Sequence, residues 1–233
     1  MPEDAATRSP TLEPVFYDDS TRRTLNIDGS QVHFHDVGAG EPLLMLQPFG
    51  PLPGTTAWLA FHRVIGAFAE RFRCVLVDNA NFGLSSPVRF DEPVHDLYVR
   101  QALGVLDGLE IDTTRVLGTS TGGTVALDLA LTAPERVTQL VIGSCEASTG
   151  GDPYLLAPTP SEVYRLFHDC QSSPPDRERI RRLLQGIVYD TGLISDPLVD
   201  ALYAWRVSEP DHADAWSQST SVPHSNIAAL AAI

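Results

Sequence analysis

The stretch Val116-Leu117-Gly118-Thr119-Ser120-Thr121-Gly122-Gly123-Thr124-Val125-Ala126 decides the fold. An apolar run enters it and an apolar helical run leaves it, so the chain must pass from a buried strand to a buried helix within a few residues. The middle is a Gly-x-Ser-x-Gly pattern, and its strand–turn–helix context is what gives that pattern meaning. A turn this sharp forces the central serine into a strained backbone conformation. Gly118 and Gly122 lack a Cβ, so backbone can pack against backbone around the turn. The spacing therefore predicts that the Ser120 hydroxyl is lifted above the strand ends. It also predicts that the Thr121 N–H, at the helix N-terminus, points to where negative charge would develop.

Working outward, strands and helices alternate. Thr24 to Asp28 and Gln31 to Val37 read as paired strands around a turn at Gly29-Ser30. Leu43 to Gln47 and Val116-Leu117 read as buried strands, and Cys74 to Val77 and Val137 to Gly143 as further strands. Between them, helical spacing covers Trp58 to Arg71, Val94 to Leu109 and Gly122 to Ala133. The pattern predicts an α/β fold: a doubly wound, mostly parallel sheet covered by helices on both faces. Ligands in such sheets sit at the carboxyl ends of the strands, so the loops after Gln47, Asp78, Thr119 and Gly143 are the candidate site. Beyond Ser144 strands cease. Helical segments at Ser161 to Cys170, Asp176 to Tyr189, Asp196 to Val207 and Asp211 to Ser217 read as an inserted lid, and Asn226 to Ile233 reads as a last short helix. Ser195 or Asp196 would cap the third of the lid helices, with Pro197 in its first turn.

Composition narrows the partners. Thirty acidic against 16 basic residues give a net charge of −14 in 233 residues, with 43% hydrophobic side chains. Such a chain is globular, and it lacks the clustered positive charge that nucleic acids or anionic membranes require. The polar segment Met1 to Arg22 has no apolar signal core, and no apolar run approaches the ~20 residues of a membrane span. The cytoplasm is the expected location. The three cysteines, Cys74, Cys145 and Cys170, show neither metal-ligand nor redox spacing. Neither a metal nor a cofactor is implied. The expected partner is a small-molecule substrate, with a homo-oligomer left open.

These motifs resemble the α/β-hydrolase superfamily from about Gln31 onward. Gln47-Pro48-Phe49-Gly50 stands where members carry His-Gly-x-Gly. The resemblance implies that the Phe49 amide joins Thr121 in an oxyanion hole, with Ser120 as nucleophile. Asp78-Asn79-Ala80-Asn81-Phe82-Gly83-Leu84-Ser85 is similar to the family's D-x-P-G-x-G-x-S loop, and Ala133-Pro134-Glu135-Arg136-Val137 to its P-E-R-V join. Within the superfamily the chain most resembles meta-cleavage-product hydrolases, which split carbon–carbon bonds in ring-opened diketo acids. The likeness lies in Gly50-Pro51-Leu52-Pro53-Gly54 running to Trp58, and in Tyr189 to Ser195 with Leu198-Val199. Gln47 and Pro48 replace the usual His-Gly, Thr119 the usual Asn, and Leu202-Tyr203 the usual Arg-Trp of the lid. Loss of that cation argues against a carboxylate-bearing substrate. An ester or lactone is then as suitable as a C–C diketone.

A serine nucleophile needs a base, and in this family the order is Ser, acid, His. Glu146 is the candidate acid. His33, His35, His95, His212 and His224 read as structural or solvated, and Asp78 as the anchor of the following loop. The expectation is that the family's last two sheet strands, on the order of 60 residues, are missing, and the triad acid and His with them. The expected organisation is a polar tail at 1–22, a hydrolase core at 23–147 and a helical lid with an incomplete C-terminal core at 148–233. The alternatives are a catalytically silent homologue acting as a binding subunit, or a truncated fragment without function.

Overall fold

Six strands form one sheet in the order β1-β2-β4-β3-β5-β6. The computed structural model describes residues 16–48, 55–143, 165–166, 169, 176–220, 222 and 225–233. Strands β1 (Arg22–Ile27) and β2 (Ser30–Val37) pair antiparallel, and β2 pairs antiparallel with β4 (Phe72–Val77). Strands β3 (Glu41–Leu46), β5 (Thr114–Thr119) and β6 (Val137–Gly143) continue the sheet in parallel. The expected strands are all present, and β5 is six residues long where only Val116-Leu117 carried an apolar signal.

Alternation along the central strands sorts two cores. Leu44, Leu46, Val75, Val77 and Val116 face helices α3 (Val94–Gly108) and α4 (Thr121–Thr132). Leu43, Met45, Cys74 and Leu76 face helices α1 (Ala57–Phe61) and α2 (Ile65–Ala69). Both faces are thus covered, which is why these strands read as continuous apolar runs. Burial pushes the Cys74 thiol up to about 11, consistent with an inert core residue.

The single helix expected over Trp58 to Arg71 is two helices. Val64 N–H donates to the Phe61 carbonyl at 2.9 Å, a tightened turn that re-phases the chain. Phe61 and Ile65 both remain in the core on either side of it. On α3 the buried face is Leu97, Tyr98, Ala102, Val105 and Leu106, while Leu103 and Leu109 are only partly buried.

The lid comprises α5 (Arg177–Ile187), α6 (Asp196–Ser208) and α7 (Pro210–Ser217). Asp176 caps α5 by accepting from the Glu178 and Arg179 amides, and Ser195 caps α6 by accepting from Leu198 N–H. Ile180, Leu183, Val199, Leu202 and Trp205 pack with Leu59 and with Phe16 and Tyr17. The end of the segment expected as a polar tail therefore belongs to the lid's core. Helix α7 docks by the Trp216 ring against Phe90, 5.1 Å between centroids, and by Thr220 N–H donating to the Phe90 carbonyl at 2.8 Å. The last segment forms a 3-10 helix at Ile227–Ala232.

Candidate active site

Ser120 sits between β5 and α4 with φ 52° and ψ −129°, a region that L-residues other than glycine rarely occupy. Its N–H donates to the Gly143 carbonyl at 3.0 Å, and its own carbonyl accepts from Gly123 N–H at 2.9 Å. The residue is therefore gripped by β6 on one side and by the first turn of α4 on the other.

The two glycines explain how the turn fits. A Cβ on Gly118 would lie 2.2 Å from the Gly122 carbonyl oxygen. A Cβ on Gly122 would lie 2.3 Å from the Leu46 oxygen and 2.5 Å from the Gln47 oxygen. Strand β5, the helix start and the end of β3 therefore meet backbone to backbone, with no room for a side chain. Thr121 is the first residue of α4, which places its amide among the free N–H groups of a helix N-terminus. Phe49 and Glu146 lie outside the described residues, as do His224, Cys145, Cys170, Gly50 to Gly54 and most of Ser161 to Cys170.

Gln47 follows directly on β3, past the Leu46–Gly118 pair. It is fully buried, and among the described residues neither its Oε1 nor its Nε2 has a hydrogen-bond partner. Asp78, at the end of β4, is also fully buried. Its Oδ1 accepts from Ala57 N–H at 2.6 Å, and its Oδ2 meets His33 Nδ1 at 2.8 Å. Ser85 Oγ donates to the Asp78 carbonyl at 2.6 Å, and a Cβ on Gly83 would fall 1.9 Å from Asp78 Oδ2. Asp78 thus does anchor the following loop.

The described histidines are built into the structure. Burial, followed by the neighbouring His33, pushes His35 down to about 3, so its ring is neutral near pH 7. His35 packs against Trp58, Tyr17 and His33. His212, expected on a solvated lid segment, is buried, with Nε2 at 2.8 Å from the Ser85 carbonyl. His95 Nδ1 lies 3.4 Å from Asp128 Oδ2, and Asn226 Nδ2 donates to Asp128 Oδ1 at 2.6 Å. Asp128, buried in α4, and the His33–Asp78 pair escaped sequence reasoning. The only sequence signal was the His33-x-His35 alternation, which puts both rings on one side of β2.

A strand ending in a strained serine that opens a helix, on a mostly parallel sheet, defines the class: an α/β-hydrolase fold with its nucleophile elbow. The family model for the alpha/beta hydrolase fold matches residues 51–153. The chain is 33% identical over 210 residues to a 2-hydroxy-6-oxononadienedioate/2-hydroxy-6-oxononatrienedioate hydrolase of Burkholderia vietnamiensis, covering 88% of this chain and 71% of that protein. It is 32% identical over 186 residues to a 2-hydroxy-6-oxo-6-phenylhexa-2,4-dienoate hydrolase of Burkholderia cepacia, covering 78% of this chain and 62% of that one. The crystal structure of a variant of the meta-cleavage product hydrolase CumD superposes with a TM-score of 0.68 at 25% identity, over 82% of this chain and 67% of that one. The chain belongs to the α/β-hydrolase superfamily, among the meta-cleavage-product hydrolases, and spans roughly two thirds of these relatives' length. Among the described residues no helix is long and apolar enough to cross a membrane.

Proposed function

We propose that this chain carries the nucleophile of a serine-dependent hydrolase site, acting on a small ester, lactone or C–C diketone through Ser120. The observation that carries this is the Ser120 backbone, held at φ 52° and ψ −129° between β5 and α4. Folding retains such strain where the surroundings over-determine it, and this one places a half-buried serine at a helix N-terminus. Ser120 Oγ attacks the substrate carbonyl carbon and passes its proton to a general base. The carbonyl electron pair moves onto oxygen, which the Thr121 and Phe49 amides stabilise. Re-forming the carbonyl expels the alcohol, or the enolate in C–C cleavage, and water then releases the acyl group from Ser120.

Glu146 is the proposed acid. His33 is not the base, because its ring is buried and its Nε2 faces the Tyr17 hydroxyl. The lid supports an uncharged substrate. Leu202 is buried, and Tyr203 lies under the Arg177 guanidinium at 3.8 Å. Arg177 and Arg181 are paired with Asp200 and Asp196, each at 2.5 Å. These guanidiniums are neutralised where they stand, so they are poor anchors for a substrate carboxylate. The division into core 23–147 and lid 148–233, a cytoplasmic location and homo-oligomerisation belong to the same reading.

The test is covalent labelling of the folded protein by a fluorophosphonate, with turnover of a nitrophenyl ester and of a ring-opened dienoate measured alongside. Labelling at Ser120 that disappears in Ser120→Ala is expected, with at most weak turnover of either substrate. A folded protein that is not labelled at Ser120 overturns the nucleophile assignment and favours a binding role.

A further inference from the structure

We propose that the lid opens along one seam: the Tyr17 ring clasps the α5–α6 pair to strand β2, and this clasp releases while α7 stays docked. The inference goes beyond the hydrolase reading, and its test needs no turnover.

Tyr17 is 6% exposed and lies between the sheet and the lid. Toward the sheet its ring meets His35 of β2 edge-on, 5.1 Å between centroids and 76° between planes. Toward the lid it meets Trp205 of α6, also edge-on, at 5.2 Å and 65°. Its hydroxyl stands 3.3 Å from His33 Nε2. Phe16, beside it, packs on His62 at 5.4 Å, and both rings share one apolar cluster with Leu59, Ile180, Leu183, Val199 and Leu202. Two edge-to-face contacts on a single ring thus join α6 to β2.

The seam is dry, yet its polar atoms are not satisfied. Trp205 and His35 are both fully buried, and among the described residues neither Trp205 Nε1 nor His35 Nε2 has a hydrogen-bond partner. His35 is held only by its other nitrogen, Nδ1, at 2.9 Å from Thr21 Oγ1. A buried polar atom without a partner has lost its hydration and gained nothing in exchange, which is why folded proteins hold few of them. One such atom belongs to the lid and the other to the sheet, and the Tyr17 ring touches both residues. Parting α6 from the sheet at Tyr17 uncovers both nitrogens to water. Opening therefore loses apolar burial but relieves two desolvated groups, so this joint gives before the others.

The rest of the lid is tied differently. Arg177 pairs with Asp200 and Arg181 with Asp196, each joining α5 to α6, and Ile180 and Leu183 share a core with Val199 and Leu202. These two helices move as one body. Helix α7 instead holds the loop after β4 through polar contacts. Buried His212 places Nε2 at 2.8 Å from the Ser85 carbonyl. Just past α7, Thr220 N–H donates to the Phe90 carbonyl at 2.8 Å, and Phe90 N–H donates to Ser219 Oγ at 3.1 Å. Between the two parts lies Glu209 alone, at φ −126° and ψ 65°, outside both helices. Pro210 follows it and has no N–H, so the α6 hydrogen-bond ladder stops at this joint.

Amide hydrogen exchange of the full chain, read by mass spectrometry, tests the seam. In the wild type α5 and α6 are expected to exchange at least about tenfold faster than α7. Tyr17→Leu removes both ring contacts, and is expected to speed α5 and α6 by about a further tenfold while α7 and α4 stay within about threefold of the wild type. Tyr17→Phe keeps the ring and loses only the hydroxyl, and is expected to stay within about threefold throughout. If α6 stays as protected in Tyr17→Leu as in the wild type, or if α7 and α4 lose protection along with it, the inference is overturned. It is overturned equally if Tyr17→Phe behaves as Tyr17→Leu does, since the ring is then not the clasp. If Tyr17→Leu does not fold, the wild-type comparison decides: equal exchange in α6 and α7 refutes a separate seam.

Discussion

Gly122→Ala tests the packing on which the elbow depends. In an ordinary helix interior this change favours folding, because alanine is better than glycine by about 0.8–1.0 kcal/mol. Here the new methyl would sit 2.3 Å from the Leu46 oxygen, 2.5 Å from the Gln47 oxygen and 2.8 Å from the Leu46 carbonyl carbon. Carbon contacts of this kind relax near 3.5 Å, so α4 and the end of β3 must separate by about 1 Å. Both partners are backbone, with no flexible side chain to give way. Overpacking of this sort costs about 1–3 kcal/mol, and this contact belongs at the top of that range. After the propensity gain, the net loss is about 2 kcal/mol, or a fall in Tm of roughly 4–8 °C for a domain of this size. Gly66→Ala is the internal control: Gly66 lies in α2, and its added Cβ meets nothing within 4 Å. That variant should be as stable as the wild type or gain up to about 1 kcal/mol. Urea denaturation followed by circular dichroism measures both. A Gly122→Ala protein as stable as Gly66→Ala would refute the backbone-to-backbone account of the elbow.

Ser120→Gly should be more stable than Ser120→Ala by about 1–2 kcal/mol, because glycine relieves a positive φ that alanine keeps; equal melting temperatures would show that the turn is unstrained. Gln47→Met removes two buried, unpartnered amide atoms at nearly constant volume, and should leave stability unchanged or raise it by about 1–2 kcal/mol; a clear loss in denaturant titration would reveal a polar partner. His35 is held at about 3 in the folded protein, below its unfolded value, so the unfolded chain takes up the proton first as pH falls. Its contribution is complete above about pH 6.5 and fades as pH drops toward 3, amounting to about 4 kcal/mol over that window. Denaturation of the wild type and of His35→Phe across pH 3–7 should converge toward low pH; parallel curves would mean that His35 is not buried neutral.

Much of this protein was legible in its sequence because the relevant physics is local. Gly118, Ser120 and Gly122 lie within five residues, and a strand turning into a helix has few ways to accommodate them. Strands β3 and β4 were legible because burial on both faces leaves apolar runs, and Ser195 announced its helix through the proline two residues on. What the tertiary structure alone decided involves partners far apart in the chain. His33 and Asp78 are 45 residues apart, and Asp128 and Asn226 are 98. No periodicity couples such positions, and a buried carboxylate is invisible until the fold removes its water. The same holds for Phe16 and Tyr17, whose polar neighbours marked them as tail. Their burial depends on lid helices that begin some 160 residues later, since an apolar face is covered by whatever the topology brings to it.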